Sequence, residues 1–173
     1  MKKIVSILLF LLTTSCCFAQ NKMLQRNFFG FSLLDSKQKV SSSLKQKGYK
    51  FTEERSGNLQ LIIMGPVTFG GVKWKEVELS FYENKLFSVR FNKPKDDDMQ
   101  YEINKLSLDL INKYGREMFD ISTWWNDPNR VTSLEGKDDY NTRIVLVTSW
   151  GLTLKYYDQK VAYLSTHPGA NDL

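Results

Sequence analysis

Hydrophobic residues recur at every second position over Val77, Leu79 and Phe81, break at Glu83-Asn84-Lys85, and resume at Phe87, Val89 and Phe91. Glu76, Glu78, Ser80 and Tyr82 alternate with the first set, and Leu86, Ser88 and Arg90 with the second. A period of two sends neighbouring side chains to opposite faces, so this stretch predicts a β-hairpin with one aromatic-aliphatic face and one mostly polar face. Helical spacing occurs twice. Asp35-Ser36 offers an N-cap, with Gln38 three residues after Asp35 as in a capping box; Val40 and Leu44 share a face, and Lys47-Gly48 closes a helix over about 36–47. Tyr101, Ile103, Leu106, Leu110, Ile111 and Tyr114 mark a second helix. Asp96-Asp97-Asp98 opens it, where carboxylates cap free amides and favour the dipole, and Lys113-Tyr114-Gly115 closes it.

Around these elements lie shorter apolar stretches. Residues 28–33 form an aromatic entry segment, 49–52 begin a strand, 53–58 make a polar turn, and 59–64 are a continuous apolar run suited to a buried strand. Beyond the second helix, Phe119, Ile121, Thr123 and Trp125 fall on one face, and Met118, Asp120, Ser122 and Trp124 on the other. A turn at 126–129, a strand at 130–134, a polar loop at 135–141 and a strand pair flanking Trp150-Gly151 complete the pattern, and the tail after Lys160 is expected to fray. Helix and antiparallel strands, then helix and antiparallel strands again, predict an α+β fold. It is expected to hold two tandem helix-plus-antiparallel-sheet repeats, about 28–92 and 96–160, with both helices on one side of the sheet.

The N-terminus changes the compartment. Lys2 and Lys3 precede an apolar run at 4–12 and a small-residue region ending in Cys17-Phe18-Ala19, which reads as a secretory signal peptide over 1–19. That run is shorter than the about 20 apolar residues of a spanning helix. The protein is therefore expected to be secreted or periplasmic, with 20–173 as one α+β domain. Lipidation at Cys16, after Ser15, is the alternative. Both cysteines belong to this segment, which excludes disulfides and thiolate metal sites from the mature domain. The net charge of +5 includes Lys2 and Lys3, and the remainder is spread without a basic block, which argues against nucleic acid as a partner.

The segment FFGFSLLDSKQKVSSSLKQKGYKF at 28–51, followed by VELSFYENKLFSVRF and later by LINKYG, resembles small secreted proteins of uncharacterised families in Gram-negative bacteria. The doubled element order is also similar to the β-lactamase-inhibitor-protein-like (BLIP-like) architecture and its related SmpA-type outer-membrane assembly lipoproteins. The resemblance implies a scaffold for protein recognition or envelope housekeeping. It carries over no catalytic residue, and the absence of cysteines from the mature chain departs from the secreted β-lactamase inhibitors.

Candidate chemistry narrows the function classes. His167 is the one histidine and stands in the tail, so no nucleophile–histidine arrangement is in view, and neither a catalytic motif nor a cofactor or metal motif is present. Glu76 and Glu78, on one strand face, are the acidic pair that a hydrolase reading would need. Trp124 and Tyr82 fall on polar strand faces, where amphipathic rings suit interfaces and flat ligands. With Asp120 and Asn126 they are the candidate partner-binding residues. The expected function is a non-enzymatic module that binds a protein or envelope component through its exposed sheet face, with glycan or small-ligand binding as the alternative.

Overall fold

The computed structural model describes residues 23–124 and 127–170, with the backbone alone at Trp124, Pro128 and Asn129. A short ribbon, β1 (Asn27–Phe28) and β2 (Phe31–Ser32), leads into α1 (Lys37–Gln46). The strands β3 (Phe51–Ser56) and β4 (Leu59–Met64) follow, then a second ribbon of β5 (Val67–Phe69) and β6 (Val72–Trp74), then β7 (Glu76–Tyr82) and β8 (Lys85–Pro94). After α2 (Met99–Tyr114) come β9 (Phe119–Trp124), β10 (Asp127–Lys137), β11 (Thr142–Thr148), β12 (Gly151–Asp158) and α3 (Gln159–Thr166). Eight strands form one antiparallel sheet in the order β3-β4-β7-β8-β12-β11-β10-β9. Each long helix is thus followed by four sheet strands, and the last strands of the two sets, β8 and β12, pair with each other.

The two sides of the sheet follow from register. Met64, Val77, Phe91, Leu154, Leu146 and Leu134 align across six strands, as do Ile62, Leu79, Val89, Tyr156, Ile144 and Gly136. These rows share one buried cluster with Val40 and Leu44 of α1 and with Ile103, Leu106, Leu110 and Tyr114 of α2. Both helices therefore cover the same face. Phe91 stands at the centre of an aromatic group, stacked on Phe69 at 4.4 Å between ring centres and tilted against Trp74, Phe28 and Phe29.

Several sequence expectations change in detail. The cap of α1 is Ser36, whose Oγ accepts from the Lys39 N–H at 3.3 Å; Asp35 instead accepts from the Ser32 N–H and pairs with Lys39. Asp98 makes no side-chain cap on α2, and Asp96 pairs with Lys93 at 2.7 Å. β3 continues through the segment expected to be a turn, because at the sheet edge its charged residues remain in solvent. β10 runs from Asp127 to Lys137, so the strand expected at 130–134 is present and extends into the flanking segments expected to be turn and loop, with irregular pairing between Asp127 and Ser133. The hairpin turn has positive φ at both Glu83 (47°) and Asn84 (63°), the twist-matched two-residue geometry.

The largest change is at Phe87. A bulge shifts the register between Ser80 and Phe81, so Phe81 faces Leu86 and Ser80 faces Ser88. Leu86, not Phe87, enters the main core, and Phe87 is buried outside that cluster. The tail expected to fray after Lys160 instead continues a helix as far as Thr166: α3, capped by the Asp158 side chain on the Val161 N–H at 3.1 Å, packs on β8 and β12. Ser80, Tyr82, Phe87 and Ser88 are buried at this end of the sheet.

A partly buried polar network fixes the ends of the second strand set. Arg26 donates to Thr142 Oγ1 at 2.6 Å and to Asp158 Oδ2 at 3.1 Å, while Asp138 accepts from the Leu24, Tyr140 and Thr142 N–H groups. At the other end, β12 begins with Gly151 opposite Pro94, and a Cβ there would overlap the Lys93 carbonyl oxygen, a backbone atom that cannot rotate away. Gly151→Ala is expected to lower stability by about 1 to 3 kcal/mol, the range for forced overpacking, measured by urea unfolding.

Candidate functional site

The sheet face opposite α1 and α2 carries the polar residues that the alternation leaves over. One row runs Glu78, Arg90, Lys155, Val145, Glu135 and Asp120 across β7, β8, β12, β11, β10 and β9. The next runs Glu76, Asn92, Thr153, Val147, Ser133 and Ser122. Cross-strand neighbours on one face interact directly, so each row is a chemical sequence in its own right. Arg90 reaches Glu78 at 3.7 Å, and Glu78 also accepts from Ser80 Oγ at 3.1 Å. Burial and then the Arg90 guanidinium push the Lys155 pKa below its usual range, against a smaller opposing pull from Glu78. The Lys155 ammonium sits 4.6 Å from the centre of the Tyr157 ring, which shelters its stem.

Towards β9 the face opens. Val145 and Val147 are half-buried, and Asp120 and Glu135 are exposed partners in register. Two carboxylates directly opposite repel, and neither has an ion pair among the described residues. The face thus has a small apolar centre, an acidic edge and a basic interior, Arg90 with Lys155.

At one end of the same face lies a cleft of about 410 Å³ between the start of β7, the end of β8 and the β11–β12 turn. Its lining includes Lys75, Glu76, Asn92, Lys93, Trp150 and Thr153. Trp150, in the turn, is 95% exposed. Thr153 Oγ1 donates to Asn92 Oδ1 at 3.3 Å, and Lys93 is held by Asp96 and Glu102 at 2.7 and 2.6 Å. Burial draws the Lys93 pKa down, but the hydrogen bonds and charges of those two carboxylates outweigh it and hold it above its usual range.

The predicted site residues divide. Asp120 is where parity places it, exposed on the open face. Tyr82 is not an exposed anchor: it is only 8% exposed, because the far side of the hairpin end is closed over. Trp124 ends β9 with its backbone paired to Asp127, but its side chain lies outside the described residues, as do Trp125 and Asn126 altogether. Glu76 lines the cleft and Glu78 is engaged by Arg90, two separate settings. His167 closes α3, stacked on Tyr163 at 4.3 Å. Trp150 escaped the sequence reading because alternation assigns no face to a turn residue; an indole beside a glycine at a hairpin tip was the available signal.

Among the described residues no group of three or more His, Cys, Asp or Glu is placed to hold a metal ion, and no helix is long and apolar enough to cross a membrane. No family model matches the chain, and no curated protein matches it in sequence.

Proposed function

We propose that the chain is a non-enzymatic binding module of the secreted or periplasmic space, which recognises a protein or envelope component through the sheet face opposite α1 and α2. The observation that carries this reading is the face itself: half-buried Val145 and Val147 between the uncompensated Asp120–Glu135 pair and the Arg90–Lys155 pair. An apolar centre inside a polar rim is the anatomy of a protein interface. The signal-like segment at 1–19 supports the compartment, with lipidation at Cys16 as its alternative ending. The element order, one helix and four sheet strands repeated and joined through β8 and β12, supports a tandem repeat of the BLIP-like kind.

A photo-crosslinking amino acid placed at Asp120, and separately at Leu108 on the exposed side of α2, tests the reading in cells. A discrete polypeptide adduct from position 120 and none from 108 is the expected result. Equal labelling from both positions, or none from 120, overturns it. Changing Val145 and Val147 together to lysine is expected to abolish the adduct while leaving thermal unfolding within a few °C.

A further inference from the structure

From the cleft at the β11–β12 turn we infer that the protein binds a neutral pyranose, in particular a β-linked oligosaccharide whose equatorial substituents leave a flat C–H face for the Trp150 indole. The cleft lies beyond the valine centre of the open face, and the inference stands whether or not that face takes a polypeptide.

Three observations combine. First, the indole at the rim is 95% exposed, a large apolar ring with no cover, beside a cleft of about 410 Å³, within the size range of small-ligand sites. Second, the lining offers hydrogen-bonding groups of both senses: the Lys75 ammonium and the Asn92 amide N–H donate, the Glu76 carboxylate accepts, and the Thr153 oxygen, its proton given to Asn92 Oδ1, accepts. Sugar hydroxyls likewise donate and accept, whereas a ligand of a single sense would leave half of these groups unmatched. Among the described residues Lys75 and Glu76 have no side-chain hydrogen bond or ion pair, so both remain available. Third, charge in the cleft is balanced. Lys93 is already neutralised by Asp96 and Glu102, and Lys75 and Glu76 add one charge of each sign to the lining, so there is no concentrated positive field for a phosphate and no concentrated negative one for a cation.

The floor also disfavours a peptide strand. The Lys75 N–H is spent on the Asn92 carbonyl at 3.0 Å, and β8 is paired on both sides by β7 and β12, so no free backbone edge is offered here. Gly151 lets β12 start against Lys93 and so sets the indole at the mouth of the cleft.

The test titrates the chain from residue 20 with cellotriose and with chitotriose, following the tryptophan indole N–H signals by NMR, with the Trp150 signal assigned from Trp150→Phe. Saturable shifts of the Trp150 signal with at least one sugar are expected, together with binding at least about tenfold weaker in Trp150→Ala and in Asn92→Ala. Asp120→Lys, on the open face, should bind sugar as the parent does, which separates this site from the proposed polypeptide surface. No movement of the Trp150 signal at up to about 10 mM of either sugar, a range that reveals even millimolar affinity, overturns the inference. Equal affinity in a folded Trp150→Ala variant also overturns it, and should that variant unfold, the parent's indole signal alone decides.

Discussion

Phe91→Ala is expected to lower the unfolding free energy by about 3 to 5 kcal/mol, the usual cost of truncating a buried phenylalanine. Phe91 is fully buried, and its ring meets those of Phe69, Trp74, Phe28 and Phe29. These partners come from both accessory ribbons, so the truncation opens a cavity that no single neighbour can fill. It also removes the surface against which β1–β2 and β5–β6 are seated. Domains of this kind have about 5 to 15 kcal/mol in total, so the variant should be marginal at 37 °C. Urea unfolding at equilibrium provides the measurement, with Phe91→Leu as a milder companion. A loss under 1 kcal/mol would mean that the aromatic group contributes little to holding the ribbons.

Asp158→Ala is the second large effect. The Arg26 and Asp158 side chains are 16% and 6% exposed, so removal of the carboxylate leaves a guanidinium largely out of water without its counter-charge. Breaking such a pair costs about 3 to 5 kcal/mol. The same carboxylate caps α3 through the Val161 N–H, a contribution of about 1 kcal/mol. Asp158→Asn separates the two, since an amide oxygen still caps but carries no charge. In a double-mutant cycle, Arg26→Met should recover part of the loss in Asp158→Ala, because no buried charge then remains. Strict additivity of the two changes would show that they do not act as a pair.

What the sequence revealed depended on whether local periodicity governed the element. Val40 and Leu44 are both buried in α1, the run Leu59–Met64 is a strand, and Val77, Leu79, Val89 and Phe91 all enter the core as their spacing predicts. Phe87 escaped because a bulge moves one residue out of phase without altering composition, and alternation counted past it assigns the wrong side. α3 escaped for a different reason. Its eight residues contain none that is fully buried, so no apolar stripe announces it, and its stability derives from the Asp158 cap and from docking on β8 and β12. Tyr82 stands at a polar-parity position that alternation alone marks as wet, yet it is buried, because parity does not report tertiary cover. Asp120 was legible because β9 is an outer strand, where parity alone leaves its side chain exposed. Trp150 and its cleft were not, since they arise from the meeting of β8 with a strand about sixty residues later, which no local pattern encodes.

The seam between β8 and β12 has a consequence for how the chain matures. Phe91 lies opposite Leu154 in that ladder, and Arg26 reaches Asp158, within a few residues of α3. The first four-stranded meander therefore keeps its β8 margin bare until β12 is there to pair with it. Long-range closure of this sort slows folding and prolongs the interval in which the bare margin can recruit the wrong strand. A chain of this design gains from being held extended until β12 is free to join.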